Sequence, residues 1–206
     1  MSKVYVIADT HFGHHNVINV PGRAEMGFTD IYEHDNHIVD QWNSVVRKRD
    51  KVYLLGDIGW DRKGYVTGGV LPRLQGCIEV VGGNHDTADL CYATASYANA
   101  RDAKRVHGAV VYNQAILTHI PIHPQEMWWD INVHGHLHSN YVHKHADFPA
   151  AGHRDGEKDV RYICVSCEWV NFTPVDLNDL LEEHRERWGR EIDRRYPLPP
   201  ERSRRR

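Results

Sequence analysis

Lys3-Val4-Tyr5-Val6-Ile7-Ala8-Asp9-Thr10-His11 is an apolar, β-rich run that ends in a carboxylate and an imidazole. Residues 3–8 predict a buried strand. The same pattern recurs along the chain. The run 51–55 leads into Gly56-Asp57, and 77–81 into Gly82-Gly83-Asn84-His85-Asp86. The run 114–117 leads into Thr118-His119, and 131–133 into His134-Gly135-His136-Leu137-His138. A lone Asp after a strand is usually a helix cap, and a lone His is usually a satisfied polar residue. Five runs that all end in His, Asp or Asn are hard to explain as caps. In a layered α/β fold, sites gather at the carboxyl ends of strands, so the five clusters should converge on one edge. The glycines before Asp57, Asn84 and His136 fit tight turns and close backbone approach.

Helical spacing fills the intervals. Asp30 with Glu33 has the form of a capping box, and Ile31, Ile38, Trp42, Val45 and Val46 predict a helix to about Lys48. A short helix is expected near 70–74, an Ala- and Tyr-rich one over 87–100, and a last one from Asp176 to about Arg190. Residues 106–111 and 114–117 read as a hairpin turning at Tyr112-Asn113. Residues 161–167 read as a further strand. Strand, helix, strand, helix, strand and then a strand-rich half predict α/β layering with two sheets rather than one doubly wound sheet.

The 206 residues fit one domain, expected over 1–192. The tail 193–206, with Pro197, Pro199, Pro200, Arg202, Arg204, Arg205 and Arg206, cannot bury apolar surface and is expected to be mobile. Its arginines read as a solvated tail in preference to a nucleic-acid arm. The formal net charge of -3 argues against a polycation built for nucleic acid. No segment approaches the roughly 18–20 apolar residues of a membrane span. The N-terminal run is too short for a signal-peptide core and lacks a cleavage site, so residence in the cytoplasm is expected. Cys77, Cys91, Cys164 and Cys167 do not make a disulfide framework. Cys164 and Cys167 have metal-pair spacing, but residues three apart on a strand face opposite sides.

Sixteen histidines are unusual, and histidine is the commonest metal ligand. The residues after the five runs offer carboxylate, amide and imidazole donors and no thiolate, a mixture that suits Mn, Fe, Zn, Co or Ni. Asp9, His11, Asp57, Asn84, His119, His136 and His138 exceed the needs of one ion but suit two that share a carboxylate. Two divalent cations against two carboxylates leave a local charge of about +2. Such a site attracts phosphate and acidifies a bridging water.

Asp9-x-His11, Gly56-Asp57, Gly83-Asn84-His85-Asp86, His119 and Gly135-His136-x-His138 resemble the five signature blocks of the calcineurin-like metallophosphoesterases, in order and in spacing. The resemblance spans about residues 3 to 170. Asp9-Thr10-His11-Phe12-Gly13-His14 with Trp42-Asn43 further resembles small phosphoesterases of bacteria and their phages. It implies a four-layer αββα sandwich, two packed sheets flanked by helices. It also implies one divalent ion on Asp9, His11, Asp57 and His138, and another on Asp57, Asn84, His119 and His136, with Asp57 bridging and manganese expected to support activity. A metal-bridging hydroxide would attack phosphorus in line. His85 would protonate the leaving oxygen or stabilise the transition state, and Asp86 would orient His85.

The expectation is a dinuclear metal-dependent phosphodiesterase acting on small or nucleotide-like substrates. The alternatives are a nuclease on DNA or RNA, a phosphomonoesterase or protein phosphatase, and a non-catalytic scaffold, although no signature position has been lost. Outside the blocks, His14, Arg23 and Asn36 are candidates to hold phosphate or a leaving group, with ordinary loop or helix polarity as the alternative. His123, His143 and His145 sit on loops that flank the blocks. Trp128 and Trp129 offer either stacking on a base or packing. With the last helix, their loop is a candidate homodimer surface.

Overall fold

The computed structural model describes residues 2–97, 105–143 and 157–195. Strands β1 (Val4–Ile7), β2 (Lys51–Leu54), β3 (Cys77–Val81) and β4 (Val106–His107) run parallel in one sheet, and β9 (Val175–Asp176) joins it antiparallel beside β1. A second sheet contains β5 (Val110–Tyr112), β6 (Ala115–Thr118), β7 (Ile131–His134) and β8 (Tyr162–Cys164) in that order. Here β5 is antiparallel to β6, and β6, β7 and β8 are parallel. The protein is therefore α/β with two mixed sheets.

Successive side chains of a strand point to opposite faces, and in the first sheet both faces are covered. Tyr5, Ile7, Val52, Leu54, Ile78 and Val80 pack against α1 (Ile31–Val45) and α2 (Ala88–Tyr97). Val6, Ala8, Tyr53, Leu55 and Val81 face Ala115, Leu117, Ile131 and Val133 of the second sheet. Double coverage is why these strands read as continuous apolar runs. Trp42 of α1 is fully buried in the helix-side core, and its Nε1 donates to the Gln75 carbonyl at 2.9 Å. Truncation of such a residue costs about 3–5 kcal/mol. The last helix, α3 (Leu177–Arg195), docks Leu177 and Leu181 on the inter-sheet cluster. The loop after β6 is tied down where the Ile122 amide donates to Asn132 and Tyr162 donates to the Ile122 carbonyl. No helix among the described residues is long and apolar enough to cross a membrane.

Helix starts follow the sequence. Asp30 accepts from the Glu33 amide at 2.8 Å, while Glu33 reaches back to the Thr29 amide and hydroxyl. Asp176 accepts from the Asn178 and Asp179 amides and starts α3. That helix continues to Arg195, into the segment expected to be tail; residues 196–206 lie outside the described residues. So do 98–104, the expected end of α2, and 144–156, which include His145.

Four expectations change. The helix predicted to Lys48 ends at Val45, because Val46 turns extended and buries its side chain in the core. The run 106–111 is two strands in different sheets, with the chain bending at Gly108. Alternation looks the same in either sheet, so the change of sheet leaves no mark in the sequence. The run 161–167 also divides: β8 ends at Cys164, and Ser166 then bridges Ala8 of the first sheet. The β5–β6 hairpin is present, but its two turn residues are Asn113 (φ 44°) and Gln114 (φ 61°), one position later than predicted. Both are left-handed, the geometry that matches the twist of a two-residue hairpin.

Candidate metal centre

Asp9, Asp57, Asn84, His119, His136 and His138 all lie just past the carboxyl ends of β1, β2, β3, β6 and β7, and His11 follows Asp9 by two residues. The exits of β1 and β2 are stitched together: the Asp9 amide donates to the Gly56 carbonyl at 3.0 Å and His11 to Asp57 at 2.9 Å. Five of the seven predicted ligands hold left-handed backbone: Asp9 (φ 58°), His11 (48°), Asp57 (50°), His136 (69°) and His138 (49°). Each such non-glycine residue costs of order 1–3 kcal/mol, and such strain clusters at functional sites. Gly56 and Gly135 supply the room. A Cβ on Gly56 would lie 2.6 Å from the Gly83 backbone and 2.8 Å from His119 Nδ1, and one on Gly135 would lie 2.5 Å from Asp9 Oδ2.

The ligand atoms form two groups. Donor atoms of Asp9, His11 and His138 lie within 4.8 Å of one another, as do those of Asp57, His119 and His136. Asp57 stands between them, with Oδ2 3.6 Å from His11 Nε2 and Oδ1 3.4 Å from His119 Nε2. Asn84 Oδ1 joins the second group, 2.9 Å from His119 Nε2. His119 Nδ1 faces the Leu55 carbonyl at 2.8 Å, which places its N–H there and leaves Nε2 as a lone pair among the oxygens of Asn84 and Asp57. A proton or a cation has to sit among them. In the first group, His11 Nε2 is buried without a hydrogen-bond partner. An orphaned buried imidazole nitrogen, oriented imidazoles and mixed nitrogen and oxygen donors fit divalent cations of the Mn-to-Zn series.

Electrostatics suit the same use. Burial, then the Arg23 cation, pushes the His11 imidazole down to about 3, so it is neutral, as a ligand must be. Burial pushes Asp57 up, but the His119 imidazole beside it and the hydrogen bond from the His85 amide outweigh it and bring the carboxyl down to about 2. Burial raises Asp9, against the pull of His119 and His138. Asp9 also accepts from the His136 amide and, at 2.7 Å, from the Ser166 hydroxyl.

His85 projects exposed at the rim, its ring centroid 5.9 Å from that of His11. Its amide donates to Asp57. Asp86 does not turn toward the His85 ring as expected. Its carboxylate accepts from the Asp57, Ile58 and Gly83 amides at 2.8–2.9 Å, so it locks the β2 and β3 exit loops together. His14 is half-buried at the mouth, its ring 5.5 Å from His11 and 4.2 Å from the exposed Trp60. His134, inside the last block, is buried at the end of β7, and burial lowers it to about 4.

Three expected substrate contacts are hydrogen-bonded to protein groups. Arg23 is completely buried and committed to protein groups: Glu168 at 2.6 Å, His34 at 2.9 Å, and the Asp9 and Thr10 carbonyls. It cannot reach a phosphate without breaking all of them. Asn36 lies on the exposed side of α1 and accepts from Arg73. His123 accepts from the Gln125 amide and caps a turn of 3-10 helix. Cys164 and Cys167 are buried free thiols. The sequence reading missed Ser166 and Glu168. Glu168 Oε1 accepts from His138 Nδ1 at 3.0 Å and from Arg23. The only prior signal was position: both follow an apolar run, as the other site residues do.

No protein-family model matches the chain. It is 29% identical over 184 residues to an uncharacterized protein of Methanocaldococcus jannaschii, an alignment covering 88% of this chain and 91% of that protein. It is 32% identical over 111 residues to the gene 66 protein of Mycobacterium phage L5, covering 53% and 48%. Against the gene 66 protein of Mycobacterium phage D29 the identity is 28% over 214 residues, covering 88% and 99%. The crystal structure of a protein of unknown function from Aquifex aeolicus superposes with a TM-score of 0.59 at 22% identity, covering 89% of this chain and all of that one, and so shares its fold.

Proposed function

We propose that the protein is a dinuclear metal-dependent phosphoester hydrolase of the calcineurin-like kind, with the αββα architecture of that family. Its preferred substrates would be small or nucleotide-like phosphodiesters. The observation that carries this is the pair of donor groups on either side of Asp57. Asp9, His11, Asp57 and His138 would hold one ion, and Asp57, Asn84, His119 and His136 the other, with manganese the first choice for activity. When bound, two such ions acidify a water and stabilise the attacking and leaving oxygens of an in-line displacement at phosphorus.

The chain supplies the rest. Left-handed turns aim the ligand side chains inward and hold them rigidly. Asp86 fixes the loop that carries Asn84 and His85. His85, exposed at the rim beside the donors, would give a proton to the leaving oxygen, the step a diester most needs. His14, packed against the exposed Trp60 and next to His11, stands on the same rim and would border a small substrate.

The test is metal analysis of the purified chain, joined to hydrolysis of aryl phosphate diesters and monoesters with Mn or Ni added. Two ions per chain and faster cleavage of the diester support the proposal. Fewer than two ions with no hydrolysis in any metal would overturn it. Faster cleavage of monoesters, or of DNA or RNA with steep salt dependence, would replace the diester part alone.

A further inference from the structure

We infer that Glu168, acting with Arg23, is a positioning residue for one ion position only, the one built from Asp9, His11 and His138. This rests on the two-ion reading above.

Glu168 Oε1 is shared between His138 Nδ1 at 3.0 Å and Arg23 Nε at 2.6 Å. A carboxylate on the far nitrogen of a ligating imidazole fixes its tautomer and turns Nε2 toward the ion. Arg23 then reaches the opposite wall of the same position. Its guanidinium donates to the Asp9 carbonyl, and more weakly to that of Thr10 at 3.4 Å. Its fourth contact is His34 Nε2, whose ring bonds Asp35, and Asp35 accepts from the Gly13 amide at 2.8 Å. One buried network therefore holds both the Asp9-x-His11 loop and His138. Ser166, two residues before Glu168, bonds the Asp9 carboxylate itself.

The other ion position is held differently. His119 is oriented by the Leu55 main-chain carbonyl, and Asp57 by amides and by the Asp86 clamp. Among the described residues, no hydrogen bond of Glu168 or Arg23 runs to Asp57, Asn84, His119 or His136. Stability alone gives a poor reason for the pair. Glu168 Oε2 is buried with no hydrogen-bond partner, and an apolar pair of equal volume would avoid that desolvation.

Glu168→Gln keeps the shape and removes the charge. Calorimetric titration of the metal-free full chain with Mn²⁺ should give two sites for wild type. In E168Q one site should weaken by about 10–100-fold while the other is unchanged. Titration with Co²⁺ should show the absorption of one position lost at ion concentrations that still fill the other. Arg23→Lys, which keeps charge but not the fork, should weaken the same site and keeps the test alive if E168Q does not fold. Two wild-type affinities in E168Q, or equal weakening of both sites, overturn the inference. A wild-type chain that binds fewer than two ions overturns the two-ion reading instead.

Discussion

The two halves of the candidate metal centre are built by different means. Around Asp57, Asn84 and His119, support comes from main-chain groups and from Asp86, which lies inside the motif that carries Asn84. The Leu55 carbonyl sets His119, and Asp86 clamps amides only three residues away at Gly83 as well as those at Asp57 and Ile58. Around Asp9, His11 and His138, support comes from buried side chains far apart: Arg23 and Glu168 are separated by 145 residues. A main-chain support cannot be removed by substitution, whereas a side-chain support can. The half around Asp57, Asn84 and His119 should therefore tolerate change outside its own motifs, and the half around Asp9, His11 and His138 should depend on residues no motif contains.

The largest effect should come from the group the halves share. Asp57→Asn removes the carboxylate that faces both His11 and His119. It should release both ions in metal analysis and lower turnover well beyond the roughly 10–100-fold typical of supporting residues. Retention of two ions would mean that Asp57 does not bridge. Next is His85→Ala, which touches neither half as a ligand. It should lower kcat on an aryl diester by about 10²–10⁴-fold with two ions still bound. Unchanged kcat would remove His85 from the chemistry.

The difference between the halves also explains what could be read in the sequence. Gly56-Asp57 and Gly83-Asn84-His85-Asp86 carry their own turns and clamp, so the block is nearly the structure. The strands were visible because burial on both faces writes unbroken apolar runs, and Asp30 marked its helix because capping is local. Arg23 was misread because an arginine beside a predicted phosphate loop looks the same in sequence whether it faces solvent or the core. Its burial depends on Glu168 and His34, which only folding brings near. Glu168 itself sits past a chain bend from β8 to the edge of β1 that leaves no periodicity to find. The seven candidate ligands were legible from their blocks, and the network that holds three of them was not.

Arg23→Met tests that network as structure. It leaves the Glu168 carboxylate buried beside His138 without its cation. Breaking a buried pair by removing one partner costs about 3–5 kcal/mol, so urea unfolding of the metal-free variant should show a loss of that order. Arg23→Met combined with Glu168→Gln should lose less than the sum of the single changes, because the uncompensated charge is gone. Additive losses would mean that the two residues act separately.

The smallest changes set the halves against each other most directly. Gly135 and Gly56 each lie under one of them. A methyl group at Gly135 would press on Asp9 Oδ2 at 2.5 Å and on the Ala8 side chain at 2.6 Å. The Asp9 carboxylate is already held by Ser166 and the His136 amide, so it must tilt out of line rather than swing away. Gly135→Ala should cost about 1–3 kcal/mol as an overpacked site and weaken the ion beside His11 and His138. Gly56→Ala meets the Gly83 backbone and His119 instead, and adds left-handed strain at φ 78°. It should weaken the ion beside Asn84 and His119 and destabilise somewhat more. Calorimetric titration of the two variants in parallel gives the answer. If both lose the same ion, or lose the two equally, the centre is one rigid unit, and the division into a main-chain half and a side-chain half fails.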